Sequence, residues 1–155
     1  MNPIQLAHKD FLTALLNLYT TLDALAIINP NTPLRLPSSP NGLHPPSIFN
    51  ATAAHAAGYS PSAVALLATM PHLDVGAHEM SFALRPSTYP ISYLGADLDE
   101  GYFEAQREML GGELMPASVI RLTWEEGGHG IVYIYDTETS EPVPSLRSTN
   151  SAGLD

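Results

Sequence analysis

The sequence predicts an α+β domain: N-terminal helices packed on a small, mainly antiparallel sheet, with one further helix between two strand pairs. Three observations carry this expectation. Apolar residues recur at helical spacing near the N-terminus and at strand spacing later in the chain. Helical and strand segments are segregated instead of alternating, which argues against a doubly wound parallel sheet. The chain has 155 residues and is 45% hydrophobic, enough for one core that needs no disulfide or metal to hold it.

The elements follow in order. Phe11, Leu15, Leu18, Leu22 and Leu25 mark one face of a helix over 3–28, and Asn2, Pro3 and Gln5 supply its cap and first turn. Asn29 and Pro30 end it. Prolines at 30, 33, 37, 40, 45 and 46 then keep the backbone extended, so 30–46 reads as a crossing loop. Two short helices follow, the first capped by Ser47 or Asn50 and ended by Gly58, the second opened by Ser60 and Pro61 and stopped by Pro71.

Met80, Phe82 and Leu84 alternate with Ser81, Ala83 and Arg85, the period of a half-buried strand. "PSTYP" breaks or turns the chain before a second strand at Ile91 to Leu94. Asp97 or Asp99 caps a helix of about three turns that Gly111 ends, with Tyr102, Phe103, Met109 and Leu110 on its buried side. "SVIRLTW" and "GIVYIYD" are the best strand segments, and the glycine-rich "EEGGHG" between them reads as a hairpin connection. By the two-residue period Ile131, Tyr133 and Tyr135 share a face. Residues 1–139 are thus expected to form one domain, and 140–155, polar and without period, a flexible tail.

Composition excludes several classes. Six basic residues stand against sixteen acidic ones, a formal charge of −10, and Lys9 is the only lysine. Such a chain lacks the positive charge that nucleic acid or an anionic membrane demands, so neither is an expected partner. The absence of cysteine removes disulfides, thiolate metal sites and cysteine nucleophiles. Lys9, Asp10, Asn17 and Asp23 interrupt the N-terminal apolar residues, which therefore read as neither a signal peptide nor a membrane span. A cytoplasmic location is the resulting expectation, and no cofactor is expected.

Chemistry has few places to reside. "WEEGGHG" lacks the lysine of a phosphate-binding loop and precedes a strand instead of a helix. Its His129 with Glu125 and Glu126 are the candidate acid/base residues, against a plain hairpin turn with solvated side chains. "HLDVGAHE" offers His72, Asp74, His78 and Glu79 as candidate metal ligands, against an exposed polar connection. "DLDEGYFEAQRE" begins like a calcium loop with Asp97, Asp99 and Glu108. It then has Gly101 where a ligand belongs and Tyr102 where glycine belongs, so an acidic helix start is favoured. No GxSxG or SxxK signature of a serine hydrolase occurs. The strand aromatics Tyr89, Tyr93, Trp124, Tyr133 and Tyr135 read mainly as packing, while an exposed row of them would make a binding face.

"GYSPSAVALLATMPHLD", "PSTYPISYLGAD" and "MPASVIRLTWEEGGHGIVYIYDTET" resemble a family of small uncharacterised proteins of filamentous fungi, over most of residues 58–139. The shared positions are packing and turn residues, which imply fold and transfer no catalytic residue. "SVIRLTWEEGGHGIVYIYDTET" also resembles the SUKH superfamily, the domain of the yeast cell-wall-assembly regulator, through Gly127, Gly128 and Asp136. That resemblance implies an α+β protein-binding or immunity module and no catalysis.

The functional expectation is a non-catalytic cytosolic interaction or regulatory module with a protein partner. The alternative is a small tailoring or isomerising enzyme for an apolar metabolite, using His72, His78 or His129 with a nearby carboxylate. A small apolar ligand fits either reading.

Overall fold

A computed structural model describes residues 2–28, 32–75, 83–109 and 112–144. It has the α+β architecture expected, with five helices and small antiparallel sheets. The capping box forms as read: the Asn2 side chain accepts from the Gln5 amide at 2.8 Å, and the Gln5 side chain accepts from the Asn2 amide at 3.1 Å. The single helix expected over 3–28 is instead two, α1 (Pro3–Ala7) and α2 (Lys9–Ala24). His8 interrupts them with φ −113° and ψ 25°. Its ring is drawn inward to Tyr135, and that tertiary hydrogen bond outweighs one residue of helical register. Just beyond α2 the chain reverses at Ala26, at φ 53°, where the amides of Ala26 and Ile27 turn back to the carbonyls of Asp23 and Leu22.

The proline-rich stretch carries a short strand, β1 (Leu34–Arg35), paired antiparallel with β2 (His72–Leu73). Between them lie α3 (Ala51–Ala56), capped by Asn50, and α4 (Pro61–Leu67), capped by Ser60. Met80 and Phe82 of the first predicted strand lie outside the described residues, and the strand placed at 91–94 is displaced to β3 (Thr88–Pro90). α5 (Glu100–Ala105) starts on its Asp99 cap but is shorter than predicted. Beyond it the backbone of Arg107 to Met109 pairs with Glu113 and Met115 instead of continuing the helix, leaving Met109 exposed.

The largest departure lies in the C-terminal strands. "SVIRLTW" does not run as one strand in a simple hairpin. It divides at Leu122 into β4 (Val119–Arg121) and β5 (Thr123–Glu125), which pair with different partners. β4 joins β6 (Tyr133–Asp136), whereas β5 crosses to β3. The tail expected from residue 140 begins as β7 (Glu141–Pro144), antiparallel to β6. Among the described residues, three small sheets therefore replace the one expected.

The core sits where α3, α4 and α5 meet β4 and the chain before α5. Tyr59, Tyr93 and Phe103 form its aromatic centre, and Leu66, Leu67, Met70 and Ile120 fill the space around them. α2 lies over one face of β6. Phe11 stacks on Tyr135 at 3.9 Å near the start of that helix, and Leu15 and Tyr19 are buried beneath it.

Candidate binding cleft

Tyr133 and Tyr135 share the face of β6 that α2 covers, as the two-residue period requires, yet their surroundings differ. Tyr135 is 1% exposed beneath Phe11, whereas Tyr133 is 37% exposed. Farther along, α2 and the strands leave a cleft of about 300 Å³, lined by Leu15, Leu18, Tyr19, Leu22, Leu84, Arg85, Leu122, Thr123 and Tyr133. Its walls are mostly aliphatic and aromatic, with a guanidinium and a few hydroxyls as the polar groups.

The glycine-rich loop holds one wall of this cleft. Gly127 and Gly128 both have positive φ, at 66° and 72°, the pattern that reverses the chain tightly and suits glycine. The loop then closes on the turn at 85–88. The Glu126 amide donates to the Ser87 carbonyl at 3.1 Å, and the Ile131 amide donates to the Thr88 hydroxyl at 2.9 Å. Gly130 is buried against the Ser87 backbone, where a side chain has no room. The loop therefore clasps the turn that presents Arg85 to the cleft.

No hydrogen bond or ion pair joins the acid/base candidates. His129 is exposed, Glu125 is half-buried on β5, and Glu126 accepts from the Tyr89 hydroxyl at 3.2 Å. His129 forms no hydrogen bond or ion pair with either carboxylate. Of the candidate metal ligands, His72 and Asp74 are described, and their surroundings differ. His72 is 1% exposed in the core, donates from Nε2 to the Leu67 carbonyl at 3.0 Å, and is pushed by burial down to about 3. Asp74 instead pairs with Arg35 at 2.9 Å near the surface. His78 and Glu79 lie outside the described residues. Among those described, no group of three His, Asp or Glu residues is placed to hold a metal ion.

Sequence reasoning missed two histidine arrangements. His44, 4% exposed, stands against His72 with ring centroids 5.3 Å apart. His8 Nδ1 lies 2.9 Å from the Tyr135 hydroxyl, and burial lowers the His8 pKa. A polar recess of about 240 Å³ beside that pair is bordered by Lys9, Asp10 and Ser140. A wider, shallower depression of about 510 Å³ runs between α2 and the Leu36–Pro37 segment. The missed cleft residues had a partial signal: Leu15, Leu18 and Leu22 are on the predicted helix stripe, but nothing local marks which of them stay uncovered.

The fold and cleft define a small α+β protein with a ligand-sized apolar recess. No protein-family model, curated protein or solved structure matches the chain. Among the described residues, no helix is long and apolar enough to cross a membrane.

Proposed function

We propose that this chain is a non-catalytic interaction module that receives an apolar group in the cleft between α2 and β6. The observation that carries this reading is the composition of the cleft: apolar walls, one arginine, and no histidine or carboxylate among its described lining residues. General acid/base chemistry needs a proton donor or acceptor within hydrogen-bond reach of the substrate, whereas retention of an apolar group needs only desolvated walls. Leu18 and Tyr133 remain 45% and 37% exposed at its edges, so added burial is available to an occupant. The SUKH-like sequence of β4 to β6 supports a binding module, and the lack of cysteine accords with a cytoplasmic setting.

Binding of a neutral, environment-sensitive dye such as Nile red tests the reading. The native protein should enhance its fluorescence saturably, and Leu18→Lys, at an exposed position, should weaken that binding while leaving the circular dichroism spectrum unchanged. No saturable binding, or equal binding by the variant, overturns the assignment to this cleft.

The enzymatic alternative draws on a different place, the recess that His8 and Asp10 both border. It is the weaker reading, because the Tyr135 hydroxyl already occupies His8 Nδ1 and no hydrogen bond joins His8 to Asp10. Turnover of an apolar metabolite that is lost in His8→Gln would favour it over the binding module.

A further inference from the structure

We infer that the occupant of the cleft is a single-chain apolar acid whose carboxylate is bound by Arg85; this rests on the binding-module reading above. The basis is the state of the four described arginines. Arg35 is paired with Asp74, Arg107 donates to the Ala57 and Met115 carbonyls, and Arg121 donates to the Glu108 carbonyl. Arg85 lines the cleft and makes no side-chain hydrogen bond or ion pair among the described residues. In a chain of net charge −10, an arginine at an apolar wall with no carboxylate among the described lining residues is a local exception to the acidic composition.

Arg85 is exposed, so its guanidinium is open to a ligand, and its backbone is held from behind. The Leu84 amide donates to the Thr88 carbonyl at 2.9 Å, and the Thr88 amide donates to the Arg85 carbonyl at 3.0 Å. The glycine-rich loop then pins Ser87 and Thr88 through the Glu126 and Ile131 amides. A guanidinium on an anchored base meets a carboxylate through two parallel hydrogen bonds, and it is weakly enough hydrated to sit at an apolar boundary.

Charge and size narrow the ligand class. One guanidinium balances one carboxylate, while the −10 field of the chain opposes a dianion such as a phosphate monoester about twice as strongly as a monoanion. A volume of about 300 Å³ lies at the small end of ligand cavities, which suits one short acyl chain along Leu15, Leu22 and Leu122.

The test is calorimetric titration of the full chain at pH 8 with decanoate and decanol, below their aggregation limits. Decanoate should bind about tenfold more tightly than decanol, and Arg85→Gln should bring the ratio of the two affinities to about one. Equal affinity of the native protein for the two, or an equal loss of both in Arg85→Gln, overturns the carboxylate assignment while the binding module stands. Binding of neither, together with no dye binding, overturns both. A leucine-terminated peptide that binds through its carboxylate more tightly than decanoate overturns the free acid in favour of a protein C-terminus.

Discussion

His44 and His72 face each other inside the core, each spending its Nε2 hydrogen on a backbone carbonyl. The Met70 carbonyl accepts from His44 at 2.9 Å and the Leu67 carbonyl from His72 at 3.0 Å. A carbonyl can only accept, so both rings are Nε2–H tautomers, and both Nδ1 atoms are buried without a partner among the described residues. A proton added to either Nδ1 would place an unpaired charge in the core. Burial lowers the pKa of both, that of His72 to about 3 with a further contribution from His44.

The sign of the pH dependence follows. The unfolded histidine binds its proton near pH 6.5 and the folded one only near pH 3, so between those values the unfolded state holds more protons. Stability contributed by His72 is fully present above pH 6.5 and declines as the pH falls toward 3, by an amount on the order of a few kcal/mol. Urea unfolding midpoints from pH 7.5 to 4.5 should fall in the native protein and fall less steeply in His72→Leu. Parallel slopes would contradict this account.

Gly130 and Gly128 separate the two reasons for glycine in one loop. A Cβ on Gly130 would lie 2.6 Å from the Glu125 Cβ and 2.8 Å from the Ser87 carbonyl carbon, neither of which is a flexible tip. At Gly128 the space is open and only the positive φ opposes a side chain. Gly130→Ala should cost about 1–3 kcal/mol by overpacking, and Gly128→Ala about 1 kcal/mol by backbone strain. His129→Ala, on an exposed side chain, should stay within about 0.5 kcal/mol. Chemical denaturation of the three variants checks the order.

The same loop shows where the sequence was readable. Caps were legible because they are local: Asn2 with Gln5, Asn50, Ser60 and Asp99 all act within three residues. The strand character of 119–125 and 133–136 was legible from β-branched and aromatic residues. The partner exchange at Leu122 was not, because it depends on β3, some thirty residues earlier in the chain. His8 is a comparable case, since its helical surroundings gave no sign of a hydrogen bond to a residue on β6. The cleft was hidden for the same reason: Arg85 reads as the polar side of a strand, and only its turn, held by the loop at 126–131, places it beside α2.

Arg107 is a buried charge held by backbone carbonyls and the face of Tyr59. It is 8% exposed, donates from Nη1 to the Ala57 carbonyl at 2.6 Å and from Nη2 to the Met115 carbonyl at 2.7 Å, and lies 5.5 Å from the centre of the Tyr59 ring. It therefore joins the end of α3 to the approach to β4. Arg107→Met keeps much of the aliphatic stem but orphans two carbonyls. The expected loss is about 3 kcal/mol, seen as a lower thermal midpoint. Arg107→Lys should recover only part of it, because an ammonium cannot span both acceptors with a planar fork.

Where the chain passes from β4 to β5, the ladder to β6 stops, and the Thr123 hydroxyl takes its place: it accepts from the Tyr133 amide and donates to the Ile131 carbonyl, both at 2.8 Å. The Ile131 amide is met in turn by Thr88, so two buried threonines satisfy backbone groups that no strand reaches. Thr123→Val preserves shape and removes both bonds, leaving a donor and an acceptor unpaired in a part-buried setting. It should cost about 2–4 kcal/mol, more than an exposed threonine change. Thr123→Ser keeps the hydroxyl and should recover most of the stability. Amide exchange at Tyr133 should quicken in the valine variant and not in the serine variant, a pattern that loss of a methyl contact alone would not produce.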